Sequence, residues 1–246
     1  MLIVVRSIVF NVLFYLNTAL WLIIALPTFF MPYRAILAVA TAWGRSNLVL
    51  LRVVAGIDCE IRGHEKLPKG PIIVAPKHQS AWETFSLLQL FDNPVFIVKR
   101  ELQWIPIFGW LMIKGRMVPV NRGAGSQALA ALAAMIERAR IELAQGRQLV
   151  IFPEGTRRPA GAEPRYKFGI AHLYAAEGVP CVPIALNSGL FWPRRSIRLR
   201  PGTVLVEILD PIQPGLDKDA FFKRLKHDLE TATARLIAEA KVTTAR

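Results

Sequence analysis

His78 is followed five residues later by Glu83, in the run Lys77-His78-Gln79-Ser80-Ala81-Trp82-Glu83-Thr84. An imidazole oriented by a carboxylate is a common way to build a general base that works near neutral pH. Within one continuous helix, positions i and i+5 diverge by about 140° at roughly 100° per residue, so the two side chains would not meet. If Ser80 is the N-cap, however, His78 precedes the helix and can fold back over its first turn towards Glu83. A local reading competes with this one: Ser80-x-x-Glu83 is a capping box, in which the glutamate binds the cap amide and does no chemistry.

A second group, Phe152-Pro153-Glu154-Gly155-Thr156-Arg157-Arg158, follows the apolar run Leu149 to Phe152. Gly155 permits a tight turn, Thr156 offers a hydroxyl, and Arg157 can grip a phosphate through two parallel hydrogen bonds. The same residues would also serve as a solvated basic turn. The third region runs from Lys99 and Arg100 through Trp104, Ile105, Phe108 and Gly109 to Asn121 and Arg122. Its cations bracket apolar and aromatic side chains, a mixture suited to holding a charged head beside an apolar tail, or to packing alone.

These groups need elements to hold them, and the pattern after about Ile57 is one of short apolar runs alternating with longer helical ones. It predicts strands at 71–75, 95–98, 117–120, 149–152, 182–186 and 204–209. Helices are expected at 81–91, 127–144, 168–177 and 218–240, the last with Leu225, Leu229, Ala232 and Leu236 on one face. The expected fold is α/β: a mixed central sheet flanked by helices, preceded by an N-terminal membrane-embedded two-helix segment. The division predicted is residues 1–56 for the membrane helices and 57–246 for the α/β domain.

The membrane reading rests on the stretch from Ser7 to Tyr33, which holds no charged residue. Ser7 to Leu26 alone would span about 30 Å as a helix, enough to enter or cross a bilayer. The run is too long for a cleavable signal peptide, and Pro27, Phe29, Phe30 and Met31 form no small-residue cleavage site. A second apolar stretch, Ala35 to Val54, is interrupted by Arg45 and Arg52, which suits an interfacial or paired helix. Basic residues after the apolar segment put the main domain on the cytoplasmic side, at the inner membrane if the chain is bacterial.

Over its 246 residues the chain carries a net charge of +13, with 53% hydrophobic and 20% charged residues. That composition excludes a disordered chain, a collagen and a multi-span bundle. The basic balance favours an anionic partner. Nucleic acid lacks a recognition motif here, so lipid and phosphate are the expected partners. Cys59 and Cys181 are far apart, show no metal-ligand spacing, and point to a reducing compartment.

In sequence order, His78-x-x-x-x-Glu83, the Lys99 to Arg122 segment, Phe152-Pro153-Glu154-Gly155-Thr156-Arg157 and Val179-Pro180-Cys181-Val182-Pro183 match four blocks of a known family. The chain resembles the 1-acyl-glycerol-3-phosphate acyltransferases over roughly residues 60 to 190. Where the family usually has aspartate this chain has Glu83, one methylene longer, so the backbone must shift to suit.

The resemblance implies transfer of a fatty acyl group from acyl-CoA or acyl carrier protein to the sn-2 hydroxyl of lysophosphatidic acid, without a cofactor or metal. It implies His78 and Glu83 as the catalytic pair. Arg157, Arg122 and Lys99 would bind the glycerol phosphate, and Glu154, Gly155 and Thr156 would shape the glycerol pocket. Other lysolipids, such as a lyso-ornithine lipid, remain open as acceptors. Two readings from other classes also stand. Gly123-Ala124-Gly125-Ser126-Gln127-Ala128 matches a loose dinucleotide fingerprint and would make a nucleotide-dependent oxidoreductase, although Ser126 is explained as a helix N-cap. A non-catalytic anionic-lipid-binding protein would satisfy the charge and the anchor without any base.

Overall fold

The computed structural model describes residues 2–121 and 126–244, so Arg122 and the Gly123-Ala124-Gly125 run lie outside the described residues. Helices α1 (Leu2–Ile24) and α2 (Tyr33–Leu50) form an N-terminal hairpin, and a π-type turn at Leu51–Ala55 leads into β1 (Ile57–Arg62). Then come β2 (Ile72–Pro76), α3 (Glu83–Ser86), β3 (Pro94–Lys99), α4 (Phe108–Lys114), β4 (Val118–Val120) and α5 (Ser126–Leu143). The chain closes with β5 (Gln148–Val150), α6 (Gly169–Glu177), β6 (Cys181–Leu186), β7 (Gly202–Ile208) and α7 (Lys218–Thr244).

Among the described residues the strands form one seven-stranded sheet in the order β1-β7-β6-β2-β5-β3-β4. All neighbours are parallel except β6 and β7, so the sheet is mixed as the sequence predicts. Strands β2 and β6 are buried along their whole length, which is why they read as unbroken apolar runs rather than alternating ones. The edge strand β1 alternates Ile57, Cys59 and Ile61 with Asp58, Glu60 and Arg62, the period-2 pattern of a half-buried strand, yet it is absent from the sequence expectation, which follows apolar runs. Helix α4 is likewise unanticipated, with Gly109 in its first turn and Gly115 just past its end.

Alternation along β2 divides the core in two. Ile72 and Val74 join Phe10, Leu51, Trp82, Phe85, Val182 and Trp192 on the side of the N-terminal hairpin. Ile73 and Ala75 join Leu149, Leu173, Tyr174, Phe221, Leu225 and Leu229 on the side of α5, α6 and α7. Both faces are therefore covered, as a largely parallel sheet requires.

The hairpin is not detached from the domain. Phe10 is fully buried, with its ring edge-on to Trp192 at 5.3 Å, and the Leu199 amide donates to Ser7 Oγ at 2.9 Å. Asn11 Nδ2 donates to the Ile197 carbonyl at 2.9 Å. Ser7, Phe10, Asn11 and Phe14 thus form the inward stripe of α1, at helical spacing. Its opposite face exposes Ile8, Val9, Val12, Leu16, Leu20 and Ile23. By length and composition, both N-terminal helical segments are apolar enough to cross a bilayer.

Candidate active site

Parallel strands β6, β2 and β5 end at the same edge of the sheet, and the loops leaving them supply the residues that surround His78. The chain leaves β2 for β3 on one side and leaves β6 for β7 on the other, so β2 and β6 flank a topological switch point. Ligands of open α/β sheets bind in the crevice at that place.

His78 follows β2 by two residues, and its Nδ1 lies 3.2 Å from Glu83 Oε2. The segment between them makes the expected tight turn. Ser80 N–H donates to both Glu83 oxygens at 3.1 and 3.0 Å, and Trp82 N–H donates to Ser80 Oγ at 3.2 Å. The capping and base-orienting readings are therefore compatible, since one carboxylate makes both sets of contacts. The α-helix here is confined to Glu83–Ser86, and Leu87–Leu90 tightens into a 3-10 turn. The single helix expected over 81–91 is thus two short pieces, in keeping with the 3-10 turns that often end α-helices.

Glu83 is completely buried and receives a further hydrogen bond from Ser188 Oγ, two residues beyond β6. Gln79 is held from the same loop, its Oε1 accepting from Gly189 N–H at 3.0 Å. Several donors fix the direction of this buried carboxylate. The His78 ring also stacks on Phe152 at 4.0 Å between centroids and 22° between planes. With Nδ1 directed at Glu83 and one ring face covered, Nε2 is the nitrogen left for a reacting group.

The 152–158 loop is stitched to the histidine from the β5 side. Arg158 N–H donates to the His78 carbonyl at 2.7 Å, and Glu154 Oε2 accepts from His78 N–H at 2.7 Å. Gly155 adopts φ +65°, and its amide closes the turn onto the Phe152 carbonyl at 2.9 Å. This is a backbone conformation that glycine adopts without a Cβ penalty. Thr156 and Arg157 are half-buried beside it. Among the described residues no carboxylate pairs with the Arg157 guanidinium, while its carbonyl accepts from Arg194 Nη1 at 3.0 Å.

Glu154 is 2% exposed. Its Oε1 meets Lys77 Nζ at 2.8 Å, so both oxygens are engaged within the protein. Burial pushes its carboxyl above the usual range, and the Lys77 ammonium opposes that shift. Lys99 ends β3, two strands from β2 and so about 10 Å across the sheet, and pairs with Glu101 at 2.9 Å. Neither cysteine has the setting of a nucleophile. Burial, with Asp58 and Glu60 beside it, pushes the Cys59 thiol up to about 11, and fully buried Cys181 is pushed up by burial alone.

Sequence reasoning missed Ser188, Lys77, Tyr166 and Glu230. Ser188 carried one usable signal, as part of a small polar run directly after a buried strand. The other three carry no local pattern that would have marked them.

The fold and the site together define an α/β protein that holds an imidazole against a buried carboxylate at the carboxyl edge of a largely parallel sheet. The chain belongs to the acyltransferase family, whose model matches residues 58–187. A 1-acyl-sn-glycerol-3-phosphate acyltransferase of Pseudomonas aeruginosa is 38% identical over 179 residues, covering 72% of this chain and 68% of that protein. The human protein named 1-acyl-sn-glycerol-3-phosphate acyltransferase alpha is 30% identical over 194 residues, covering 76% and 68%. The crystal structure of the LPA acyltransferase PlsC from Thermotoga maritima superimposes with a TM-score of 0.76 at 22% identity, covering 94% of this chain and 97% of that one. That likeness extends the shared fold to the N-terminal helices.

Proposed function

We propose that this protein transfers a fatty acyl group from a thioester, acyl-CoA or acyl carrier protein, to the sn-2 hydroxyl of 1-acyl-glycerol-3-phosphate, giving phosphatidic acid. The observation that carries this reading is the 3.2 Å contact between His78 Nδ1 and the buried Glu83 carboxylate. The acceptor is taken from relatives named 1-acyl-sn-glycerol-3-phosphate acyltransferases.

In this mechanism His78 Nε2 takes the proton of the sn-2 hydroxyl as its oxygen attacks the thioester carbonyl carbon. Glu83 holds the ring and stabilises the imidazolium that forms. The tetrahedral intermediate then collapses, the carbon–sulfur bond breaks, and the departing thiolate recovers the proton from the imidazolium. An acyl-cysteine is not needed, in keeping with the raised thiol of Cys59. Arg157 binds the acceptor phosphate, a role supported by its lack of a carboxylate partner among the described residues. Gly155 and Thr156 shape the glycerol pocket, and Arg122 and Lys99 complete the cationic set.

Residues 1–56 act as the anchor and 57–246 as the catalytic part, on the cytoplasmic face of the membrane. Support comes from the apolar outer face of α1 and from Arg45 and Arg52 beside it. A lysolipid keeps its chain in the bilayer while presenting its head at the surface, so a site held at that depth avoids extracting the lipid into water.

The test is acyl transfer from labelled acyl-CoA and labelled acyl carrier protein to lysophosphatidic acid, using membranes that carry wild type or His78→Ala at equal expression. Transfer by wild type that is lost in the variant is expected, and the donor that works is identified at the same time. Equal transfer by both proteins would overturn the mechanism. No transfer by either would overturn the acceptor and send the search to other lysolipids.

A further inference from the structure

We propose that Lys77 and Glu230 are positioning residues for the transfer reaction, forming with Glu154 a buried strut from α7 to the backbone of His78. This inference rests on the acyltransferase reading of the site above. Lys77 is 4% exposed, and its ammonium meets Glu154 Oε1 at 2.8 Å, Glu230 Oε1 at 2.7 Å and Tyr166 OH at 3.3 Å. Tyr166 in turn donates its hydroxyl proton to Glu230 Oε1 at 2.6 Å. All three protons of the ammonium thus have acceptors, the condition under which a buried cation is tolerated.

The geometry gives the strut a direction. Lys77 points to the α7 side of the sheet because it continues the alternation of Ile73 and Ala75, whereas His78 continues that of Ile72 and Val74 and points to the opposite side. Glu154 joins the two, with one oxygen on the Lys77 ammonium and the other on the His78 amide. The histidine backbone is therefore held from behind by a charge-assisted chain, while Glu83 and Phe152 fix the ring in front. Glu230 is the outer end of this chain, and it also lines an open cleft of about 400 Å³ with Lys223, Lys226 and His227. It touches neither His78 nor Glu83, and it stands on an element 153 residues away in sequence from Lys77.

A loosened strut lets His78 drift relative to the attacking hydroxyl, and misplacements of about 1 Å can cost roughly 10²-fold in rate. Glu230→Ala is expected to lower kcat about tenfold or more. KM for acceptor and donor stays within about twofold of wild type. Glu230→Gln keeps an acceptor for Lys77 and Tyr166 and is expected to recover most of the rate.

Hydrogen exchange at the His78 amide, measured on the full-length protein in detergent, should speed up in Glu230→Ala and not in Glu230→Gln. Wild-type kcat together with unchanged exchange in Glu230→Ala would overturn the proposal, as would a loss expressed only in KM. The exchange reading does not depend on turnover. If wild type failed to acylate lysophosphatidic acid, that would count against the acyltransferase reading, while faster exchange in Glu230→Ala would still establish the strut.

Discussion

Lys77 and His78 are adjacent in the chain, yet the two sides of the sheet they face are built of different materials. On the hairpin side, the imidazole sits against Phe152 and over a cluster rich in aromatic rings, including Phe10, Phe14, Trp43, Phe85 and Trp192. On the α7 side, the ammonium enters a polar knot of two carboxylates and a phenol, with Tyr166 also beneath it at 5.2 Å from the ring centre. Burial, with Glu230 next, pushes the Tyr166 phenol far above its ordinary range, so it remains a donor at any working pH. The contrast teaches a division of labour: the α7 side holds the histidine amide through Glu154 and Lys77, while the hairpin side fixes the ring through Glu83 and Phe152.

The sharpest break in the comparison comes from His78→Ala, which removes the proposed base and leaves both packing clusters in place. Its turnover is expected to fall by about 10³–10⁴-fold with an unchanged melting temperature, checked by the transfer assay and calorimetry. Lys77→Met should do the reverse, acting first on stability. Stripping the cation from buried Glu154 is expected to cost about 3–5 kcal/mol, read by thermal melting.

That loss carries a pH signature. Burial already raises the Glu154 carboxyl, so the folded state favours its protonated form and stability declines as pH rises through the window above the ordinary carboxylate value. Without Lys77 the opposing influence disappears and the window widens. The melting temperature of Lys77→Met should therefore drop more between pH 5 and pH 8 than that of wild type.

Glu83→Gln turns an amide towards donors that now meet a carboxylate, among them Ser80 N–H and Ser188 Oγ. A fall of about 10²-fold in kcat is expected with near-normal KM, by steady-state kinetics. Arg157→Ala should raise KM for the phosphate-bearing acceptor about tenfold and leave donor KM unchanged. Smallest of all is Cys59→Ser, on the edge strand β1, expected to change transfer rates by less than about twofold. A larger loss there would reopen a thiol route.

Legibility from sequence followed the range of the interactions. His78 and Glu83 were readable because five residues separate them, and a cap-forming serine between them fixes the turn. The buried strands β2 and β6 were visible as unbroken apolar runs, while β1 carries the alternating signal of a half-buried edge strand, Ile57, Cys59 and Ile61 between Asp58, Glu60 and Arg62, which a search for apolar runs passes over. Helix α3 shows the limit of periodicity, since Leu87, Leu88 and Leu90 suit an α-helix but adopt a tighter turn in the packed site. Ser188 reaches Glu83 across 105 residues, and Glu230 reaches Lys77 across 153. Such pairings depend on the sheet order, which no local pattern encodes. Glu154 was read from the family resemblance as shaping the glycerol pocket; the bonds of its carboxylate to Lys77 and to the His78 amide had no signal in the sequence.

The hydrogen bond between Ser7 and Leu199 joins residues 192 apart, with Phe10 seated on Trp192 close by. On a ribosome adding about 5–20 residues per second, the inner stripe of α1 would wait roughly 10–40 s before its docking partners were synthesised. During that interval α2 can cover the Phe14–Asn17 end of the stripe, but Ser7 and Phe10 are without their partners and the nascent chain has to find shelter for them elsewhere. A bilayer beside the ribosome would supply it, so under the anchoring proposed above the order of synthesis favours membrane delivery before the α/β sheet is complete.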